Sequence, residues 1–254
     1  MTDTEYLRHV VLNSQKIRDF QVFGERRSGT NYLSALLSKN LAITEVTHYG
    51  WKHGVPSMPA ISPNSLIVLI TRNPMEWAKS FYVNPFDSTD AFRGNLSFED
   101  FVEMEWASTA LPSAQGWEKW GHQKIPNTRG QSLLWDHHPM TGKKYRDIFE
   151  MRSVKHTAWL GLEHRAENFV QVRLEDLQSD AKAVLEQLAA VFELSAVAKF
   201  NPVSARLGPP NMFPETVRKK PTAISTETRN KIKDAVDWGI ENKIGYFEET
   251  LLTE

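Results

Sequence analysis

The feature that constrains this chain most is a short apolar strand that runs directly into a glycine-containing loop and then a helix. Residues 20–23 (FQVF) suit a buried strand, and residues 24–30 (GERRSGT) form the loop. From Tyr32 onward apolar residues recur at helical spacing, so the loop opens a helix. A second apolar run, residues 66–70, predicts another buried strand. This order of elements predicts an α/β fold with a central parallel sheet flanked by helices.

A second polar motif follows the strand at residues 66–70. The sequence there is TRNP, in which Asn73 is suited to capping a helix and Pro74 to its first position. Ser80 lies two turns into that predicted helix. A guanidinium at a strand end, from Arg72, and a hydroxyl on the next helix can together hold an anion.

The remaining chain predicts a single domain spanning residues 1–254. Residues 169–174 alternate as a strand, and helices are predicted at 181–192 and 226–242. A further helix near 145–162 carries Arg152 and Lys155, which either meet an anionic acceptor or are surface charges. Residues 84–150 are rich in Trp, Gly, Pro and His, as is typical of a variable binding region.

Composition excludes several classes of function. The 254 residues include 30 basic and 31 acidic side chains, for a net charge of −1. The chain therefore has no net positive charge that would attract nucleic acid or an anionic membrane. The chain has no cysteine, which excludes disulfides and thiolate chemistry. Neither a signal peptide nor an apolar run near the roughly 20 residues of a membrane span is present, so we expect a cytoplasmic protein.

The loop has the glycine spacing of a phosphate-binding P-loop without its metal chemistry. Gly24 and Gly29 are followed by Thr30 and Asn31, where a nucleoside triphosphatase has Lys and Ser or Thr. The backbone N–H groups of such a loop still form a cradle for anions. The plain alternative is an ordinary strand-to-helix turn whose arginines face solvent.

These motifs resemble those of the sulfotransferases. Residues 27–32 (RSGTNY) resemble the K-S-G-T-T-W loop that binds the 5′-phosphosulfate of PAPS (3′-phosphoadenosine 5′-phosphosulfate). Residues 71–74 with Ser80 resemble the R-[DN]-P-x₅-S-x-Y element that binds the 3′-phosphate. Residues 173–177 and 237–246 resemble later elements of the family, so the resemblance covers most of the chain except 84–150. It implies a P-loop-like three-layer fold.

The resemblance also implies a set of cofactor-binding residues. In the first element, Arg27 takes the position of the family's lysine and Tyr32 that of its tryptophan. Tyr32 then either stacks on the adenine or packs the helix onto the sheet. Near the C-terminus, residues 218–220 (RKK) resemble an R-K-G element that closes over the 3′-phosphate, although a basic cluster is often a solvated face. The implied set is Arg26, Arg27, Ser28, Gly29, Thr30, Asn31, Tyr32, Arg72, Ser80, Arg218 and Lys219.

Residues 51–54 (WKHG) resemble the family's K-T-H-L-P segment, which carries the catalytic base. His53 is therefore the expected base, with His48 as the alternative. Arg27 is a poor proton donor because its pKa exceeds about 12, so Lys52 is a candidate for that proton or charge role. Arg27 itself is expected to stabilise charge on the leaving group. His137 and His138 are expected in a surface loop, and no metal site is expected.

The sequence therefore predicts a sulfotransferase that moves the sulfuryl group of PAPS in line, without a metal, to a hydroxyl of a small molecule or carbohydrate. PAP (3′,5′-adenosine bisphosphate) is the other product. The variable region is aromatic, and its rings can stack on sugar faces as readily as on phenols or hydrophobic cores: Trp106, Trp117, Trp120 and Trp135. The alternatives are a P-loop nucleotide kinase or other phosphotransferase, and a non-catalytic nucleotide-binding module.

Overall fold

The structure is a computed structural model that describes residues 2–3, 6–12, 15–88, 96–109, 136–204, 207 and 218–251. It divides into two compact units. The first contains Met1–Arg72 and Ala158–Gly208, and the second contains Asn73–Thr157 and Pro209–Glu254.

The first unit is built on a six-stranded sheet. Its strands are β1 (Thr2–Asp3), β2 (Leu7–Val11), β3 (Asp19–Phe23), β4 (Thr44–Glu45), β5 (Ser65–Thr71) and β6 (Asn168–Arg173). They lie in the order β1-β2-β6-β5-β3-β4, with β4, β3, β5 and β6 parallel and the β1–β2 edge antiparallel. The predicted strands and the α/β class with a mostly parallel sheet are confirmed. The antiparallel edge was not predicted.

Seven α-helices accompany the strands in the described part of the chain. They are α1 (Thr30–Asn40), α2 (Pro74–Val83), α3 (Phe98–Glu103), α4 (Ile148–Leu160), α5 (Leu174–Val191), α6 (Thr226–Ala235) and α7 (Trp238–Glu241). Leucines of α1 and α5 are buried against the sheet because they recur on one face of each helix. Among the described residues, no helix combines the length and apolar character needed to cross a bilayer.

The carboxyl ends of the parallel strands lie together at one edge of the sheet. Phe23 ends β3 and pairs with Leu69 of β5, while Thr71 ends β5 and pairs with Arg173 of β6. The glycine loop, Arg72 and the start of α5 therefore follow the same edge. In open parallel sheets this is the edge where ligands bind.

Two predicted helices differ from the structure in extent. The helix predicted from residue 181 begins at Leu174 and is interrupted at Asp180, whose carboxylate accepts a bond from the Ala183 N–H at 2.9 Å. The apolar periodicity of the sequence predicted only the part of α5 that follows this internal cap. The helix predicted over 226–242 is wrong in extent, because α6 ends at Ala235 and Asp237 caps the separate α7.

The second unit contains a buried network of charges on α4. Arg152 forms a bidentate ion pair with Glu241, with N–O distances of 2.6 and 2.8 Å, and Lys155 Nζ lies 2.6 Å from Asp136 Oδ1. The expectation that Arg152 and Lys155 are surface charges is wrong, since both are fully buried. Burial and these two cations hold the pKa of His156 well below its ordinary value, so its imidazole is neutral.

Candidate functional site

The glycine loop packs so closely against the edge of the sheet that neither Gly24 nor Gly29 has space for a side chain. A Cβ added at Gly24 would lie 2.4 Å from the Ile70 carbonyl oxygen. A Cβ added at Gly29 would lie 2.8 Å from Leu174 Cδ1, and the φ of +92° at Gly29 also favours glycine. The two glycines are therefore required for the loop to sit at the carboxyl edge of the sheet.

Hydrogen bonds fix the backbone inside the loop. The Ser28 N–H donates to the Glu25 carbonyl at 3.1 Å and closes a turn. Arg27 has a left-handed φ of 70°, and its carbonyl accepts a bond from Arg72 Nη1 at 3.0 Å. Arg72, predicted as a phosphate ligand, thus contacts the loop itself and ties the two polar motifs of the sequence together.

Donors at the end of this loop remain open to a ligand. The first N–H groups of α1 have no intrahelical acceptor. Gly29, the N-cap residue, has no side chain that could cap them, and the first turn of α1 has no acidic residue. Ser28 is fully buried, and its Oγ has no hydrogen-bond partner among the described residues. A buried hydroxyl without a partner is costly, so this arrangement fits an anion.

The turn at Trp51–Gly54 is hydrogen-bonded to both the N–H and the carbonyl of Gly24. The Gly24 N–H donates to the Lys52 carbonyl at 3.0 Å, and His53 Nδ1 lies 2.7 Å from the Gly24 carbonyl oxygen. A carbonyl oxygen only accepts, so Nδ1 carries the proton and the neutral ring has its lone pair on Nε2. That lone pair is what a general base requires.

Lys52 brings an amine to the first turn of α1. Its Nζ donates to Asn31 Oδ1 at 2.5 Å, and the residue is only 8% exposed. Burial lowers the pKa of Lys52 to about 8, with the Glu45 carboxylate acting in the opposite direction. At neutral pH the amine is therefore mostly a cation, beside the open helix terminus.

Two side chains that sequence reasoning missed hold the Trp51–Gly54 turn in place. Gln21, in β3, accepts from the Tyr49 N–H at 2.9 Å and donates to the Gly50 carbonyl at 2.8 Å. Trp159 Nε1 donates to the Gly54 carbonyl at 2.9 Å. The available signal was the single amide side chain in the otherwise apolar stretch FQVF, because a buried amide needs partners.

Other predicted residues of the first unit face different surroundings. Arg26 is 2% exposed, and its guanidinium carbon lies 4.8 Å from the centre of the Trp51 ring. Tyr32 packs against the apolar core, as in the second interpretation of that residue. His48 is exposed, with its ring 4.3 Å from that of Tyr49.

Further predicted cofactor ligands belong to the second unit. Ser80 is buried in α2, and its pairing with Arg72 stays a prediction from the sequence. Arg218 Nη1 donates to the Tyr82 carbonyl at 3.1 Å with the guanidinium over the Tyr82 ring, and burial lowers its pKa. Lys219 is exposed, and Lys220 forms an ion pair with Glu76.

The residues of the predicted variable region are described only in part. Trp106 is buried and donates to Ser108 Oγ at 3.2 Å, which makes it a core residue. His137 and His138 lie in a partly exposed turn, and His137 Nδ1 is 3.0 Å from the Gly142 carbonyl oxygen. Trp117, Trp120 and Trp135 lie outside the described residues. In the part of the chain that the structure describes, no three His, Asp or Glu side chains cluster as metal ligands would.

Comparison with known proteins gives limited similarity. No protein-family model matches the sequence, and no curated protein matches it. Among solved structures, the crystal structure of a sulfotransferase from Alicyclobacillus acidocaldarius is similar, with 14% identity and a TM-score of 0.43. The match covers 92% of this chain and 98% of that one. The identity and the TM-score are too low to transfer a function to this chain.

The buried amine of Lys52 makes stability depend on pH in a defined direction. Because its folded pKa is lowered to about 8, the unfolded chain binds more protons between pH 8 and about 10.4. The free energy of unfolding should therefore rise across this window, by on the order of 3 kcal/mol, relative to Lys52→Met. Chemical denaturation at several pH values measures the difference between the two proteins.

The matched control is Lys39→Met, which removes an exposed lysine from the last turn of the same helix that Lys52 contacts. It should leave the rise between pH 8 and 10.4 in place. If the wild type and Lys52→Met have parallel pH dependence, then Lys52 is not desolvated in solution.

Proposed function

We propose that the protein is a sulfotransferase that uses PAPS as its donor and a hydroxyl of a small molecule or carbohydrate as its acceptor. The observation that carries the proposal is that three groups lie in, or are hydrogen-bonded to, the segment formed by the glycine loop and the first turn of α1. These are the buried Ser28 hydroxyl, which has no partner among the described residues, the desolvated amine of Lys52, and the imidazole of His53 with its lone pair on Nε2.

The loop residues fit the 5′-phosphosulfate end of PAPS. Gly24 and Gly29 let the loop pack directly on Ile70 and Leu174, and Gly29, at the N-cap of α1, has no side chain that could cap the first N–H groups. Ser28 Oγ would gain the hydrogen bond that it lacks within the described chain. Thr30 and Asn31 begin α1 at the same place, so the N-terminal dipole also favours negative charge.

Sulfuryl transfer needs positive charge where the leaving phosphate becomes more negative, and it needs no metal. Lys52 supplies an ammonium on Asn31, and its pKa of about 8 lets it give up a proton near neutral pH. Arg27 adds a permanent cation within the loop. In this proposal Lys52 therefore takes the proton role that Arg27 is chemically unable to fill.

His53 is proposed as the base that receives the acceptor's hydroxyl proton. The bond from Nδ1 to the Gly24 carbonyl fixes both the ring orientation and the tautomer. Because Gly24 belongs to the anion loop, the base is held at a fixed place relative to the proposed donor site. Positioning of this kind supplies much of the catalysis in group transfer.

Arg72 is proposed to contribute to the site of the 3′-phosphate. Its guanidinium is half-buried and already donates one bond to the loop, at the Arg27 carbonyl. An arginine that holds the loop and a phosphate together would couple the two ends of the nucleotide. The contributions of Ser80, Arg218 and Lys219 stay predictions from the resemblance alone.

The first expectation is that PAP stabilises the protein in the presence of EDTA. At about 100-fold excess over its Kd the gain should be about 2.7 kcal/mol. AMP, which lacks the 3′-phosphate, should stabilise less.

Arg72→Ala should weaken PAP binding by roughly 10- to 150-fold, because a charge-assisted hydrogen bond is worth about 1.5–3 kcal/mol. Thermal unfolding with each ligand measures these effects.

The matched control is Arg165→Ala, which also removes a guanidinium that donates to a backbone carbonyl of the first unit, that of Met58. Its PAP affinity should equal that of the wild type. Stabilisation by ATP only with Mg²⁺, and none by PAP, would instead favour the phosphotransferase alternative.

The second expectation concerns His53. Removing a general base typically costs about 10²- to 10⁴-fold in rate. His53→Ala should lose PAPS turnover measured against a panel of phenols and sugars, and its pH–rate profile should lose the acidic limb. PAP affinity should fall little, because the base acts on the acceptor. Lys52→Ala should also be slow but should keep the acidic limb.

His48→Ala is the control, because His48 is the exposed alternative base of the same segment. It should turn over PAPS like the wild type. Turnover that survives in His53→Ala and is lost in His48→Ala would move the base to His48. If PAP binds but neither the wild type nor any variant turns over PAPS, the result would favour the non-catalytic nucleotide-binding module.

A further inference from the structure

Lys52 combines two properties that its proposed role in sulfuryl transfer does not require together. Its Nζ lies within a hydrogen bond of Asn31, an exposed residue in the first turn of α1, while only 8% of the lysine is exposed. The amine therefore lies beside the first turn of α1, directly after the anion loop, on a side chain that is almost wholly buried. A nucleophilic nitrogen beside an anion site can react with an electrophile that carries an anionic group.

We infer that Lys52 is a site of self-acylation by acyl phosphates, and that this modification switches off the proposed anion site. The inference rests on the proposed function, since the same loop would hold the phosphoryl group of the acyl phosphate. Ser28 Oγ and the uncapped N–H groups of α1 are the donors available to that group. The acyl carbon, one oxygen away from phosphorus, would then face the Lys52 amine.

The reaction balances with these two reactants alone. The lone pair of the neutral Lys52 amine attacks the acyl carbon, and a carbon–nitrogen bond forms. The bond from that carbon to the phosphate oxygen breaks, and inorganic phosphate leaves with the bonding electrons. The nitrogen loses its extra proton to solvent, which leaves an amide. A loop built to stabilise a leaving phosphate serves both this step and the proposed sulfuryl transfer.

Burial also favours the reactive form of the amine. With a pKa of about 8, roughly a quarter of Lys52 side chains are neutral at pH 7.5, against about 0.1% for a lysine with the usual pKa near 10.4. Lower basicity makes each neutral amine a weaker nucleophile, which offsets part of this gain. A net advantage of about tenfold in rate remains.

Acylation would have a direct consequence for the site. The amide has no charge, so the loop loses the ammonium beside Asn31 and gains an acyl group in a tightly packed place. PAP affinity should fall by at least about tenfold, the size of effect expected when one charge-assisted hydrogen bond is lost. Exposure to acyl phosphates would therefore regulate the enzyme through the residue that contacts its donor.

The experiment exposes the intact protein to acetyl phosphate at pH 7.5 and follows acetylation of each lysine by peptide mass spectrometry. Lys52 should be acetylated about tenfold faster than Lys39, the exposed lysine at the opposite end of α1. PAP should suppress acetylation at Lys52 and leave Lys39 unchanged. Ser28→Ala, which keeps the amine and removes one donor to phosphate, should slow acetylation by acetyl phosphate several-fold.

A neutral acetyl donor, N-acetoxysuccinimide, separates phosphate recognition from simple reactivity. With it, Ser28→Ala should acetylate Lys52 as fast as the wild type does. Acetylation of Lys52 by acetyl phosphate no faster than that of Lys39, or an equal effect of Ser28→Ala on both donors, overturns the inference.

The failure of the proposed function has a different signature. If PAP neither stabilises the protein nor protects Lys52, yet acetyl phosphate still selects Lys52 and depends on Ser28, then the anion site and its acylation stand without a sulfotransferase. If PAP stabilises the protein and Lys52 is not selected, the proposed function stands and the acylation site does not.

Discussion

The candidate site depends on the backbone N–H and carbonyl of Gly24. Its N–H donates to the Lys52 carbonyl, and its carbonyl accepts from His53 Nδ1. The same residue lies so close to the Ile70 carbonyl that it has no room for a side chain. The backbone of this one residue therefore ties the proposed base, and the backbone of the residue that carries the proposed cation, to the anion loop. It also fixes all three to the carboxyl end of β5.

This arrangement has a cost that the surrounding sheet must offset. Lys52 is desolvated, which lowers its pKa to about 8, and the Ser28 hydroxyl is buried without a partner in the described chain. Such groups destabilise a folded protein when no ligand is bound. They persist where the surrounding structure holds them in place. Here Gln21 contributes, because its amide accepts a hydrogen bond from the Tyr49 N–H and donates one to the Gly50 carbonyl. A desolvated amine and a buried hydroxyl that lacks a partner in the described chain, both at one edge of the sheet, are typical of a binding site.

Much of the framework could be predicted from the sequence because its signals are local. An all-apolar run predicted β5, glycine spacing predicted the loop, and Asn73 with Pro74 predicted the start of α2, where Asn73 accepts from two N–H groups. The interruption of α5 at Asp180 was missed because an internal cap leaves the apolar period of the following turns intact.

The contacts that complete the site depend on residues far apart in the chain. The bond from Arg72 to the Arg27 carbonyl joins the ends of two strands that are neighbours only in the folded sheet. The packing of Arg26 on Trp51 likewise removes from solvent a cation that the sequence places in the loop. A polar residue inside an apolar strand was the one signal available for Gln21, and it specifies no partner.

The central claim is that the loop at Gly24–Gly29 is a metal-independent site for the 5′-phosphate end of a sulfuryl donor. A crystal structure of the full chain grown with PAP and EDTA tests it most directly. The account predicts the 5′-phosphate within hydrogen-bond distance of Ser28 Oγ, the first N–H groups of α1 and Lys52 Nζ. A nucleotide bound elsewhere on the protein, with Ser28 Oγ still lacking a partner, would contradict it.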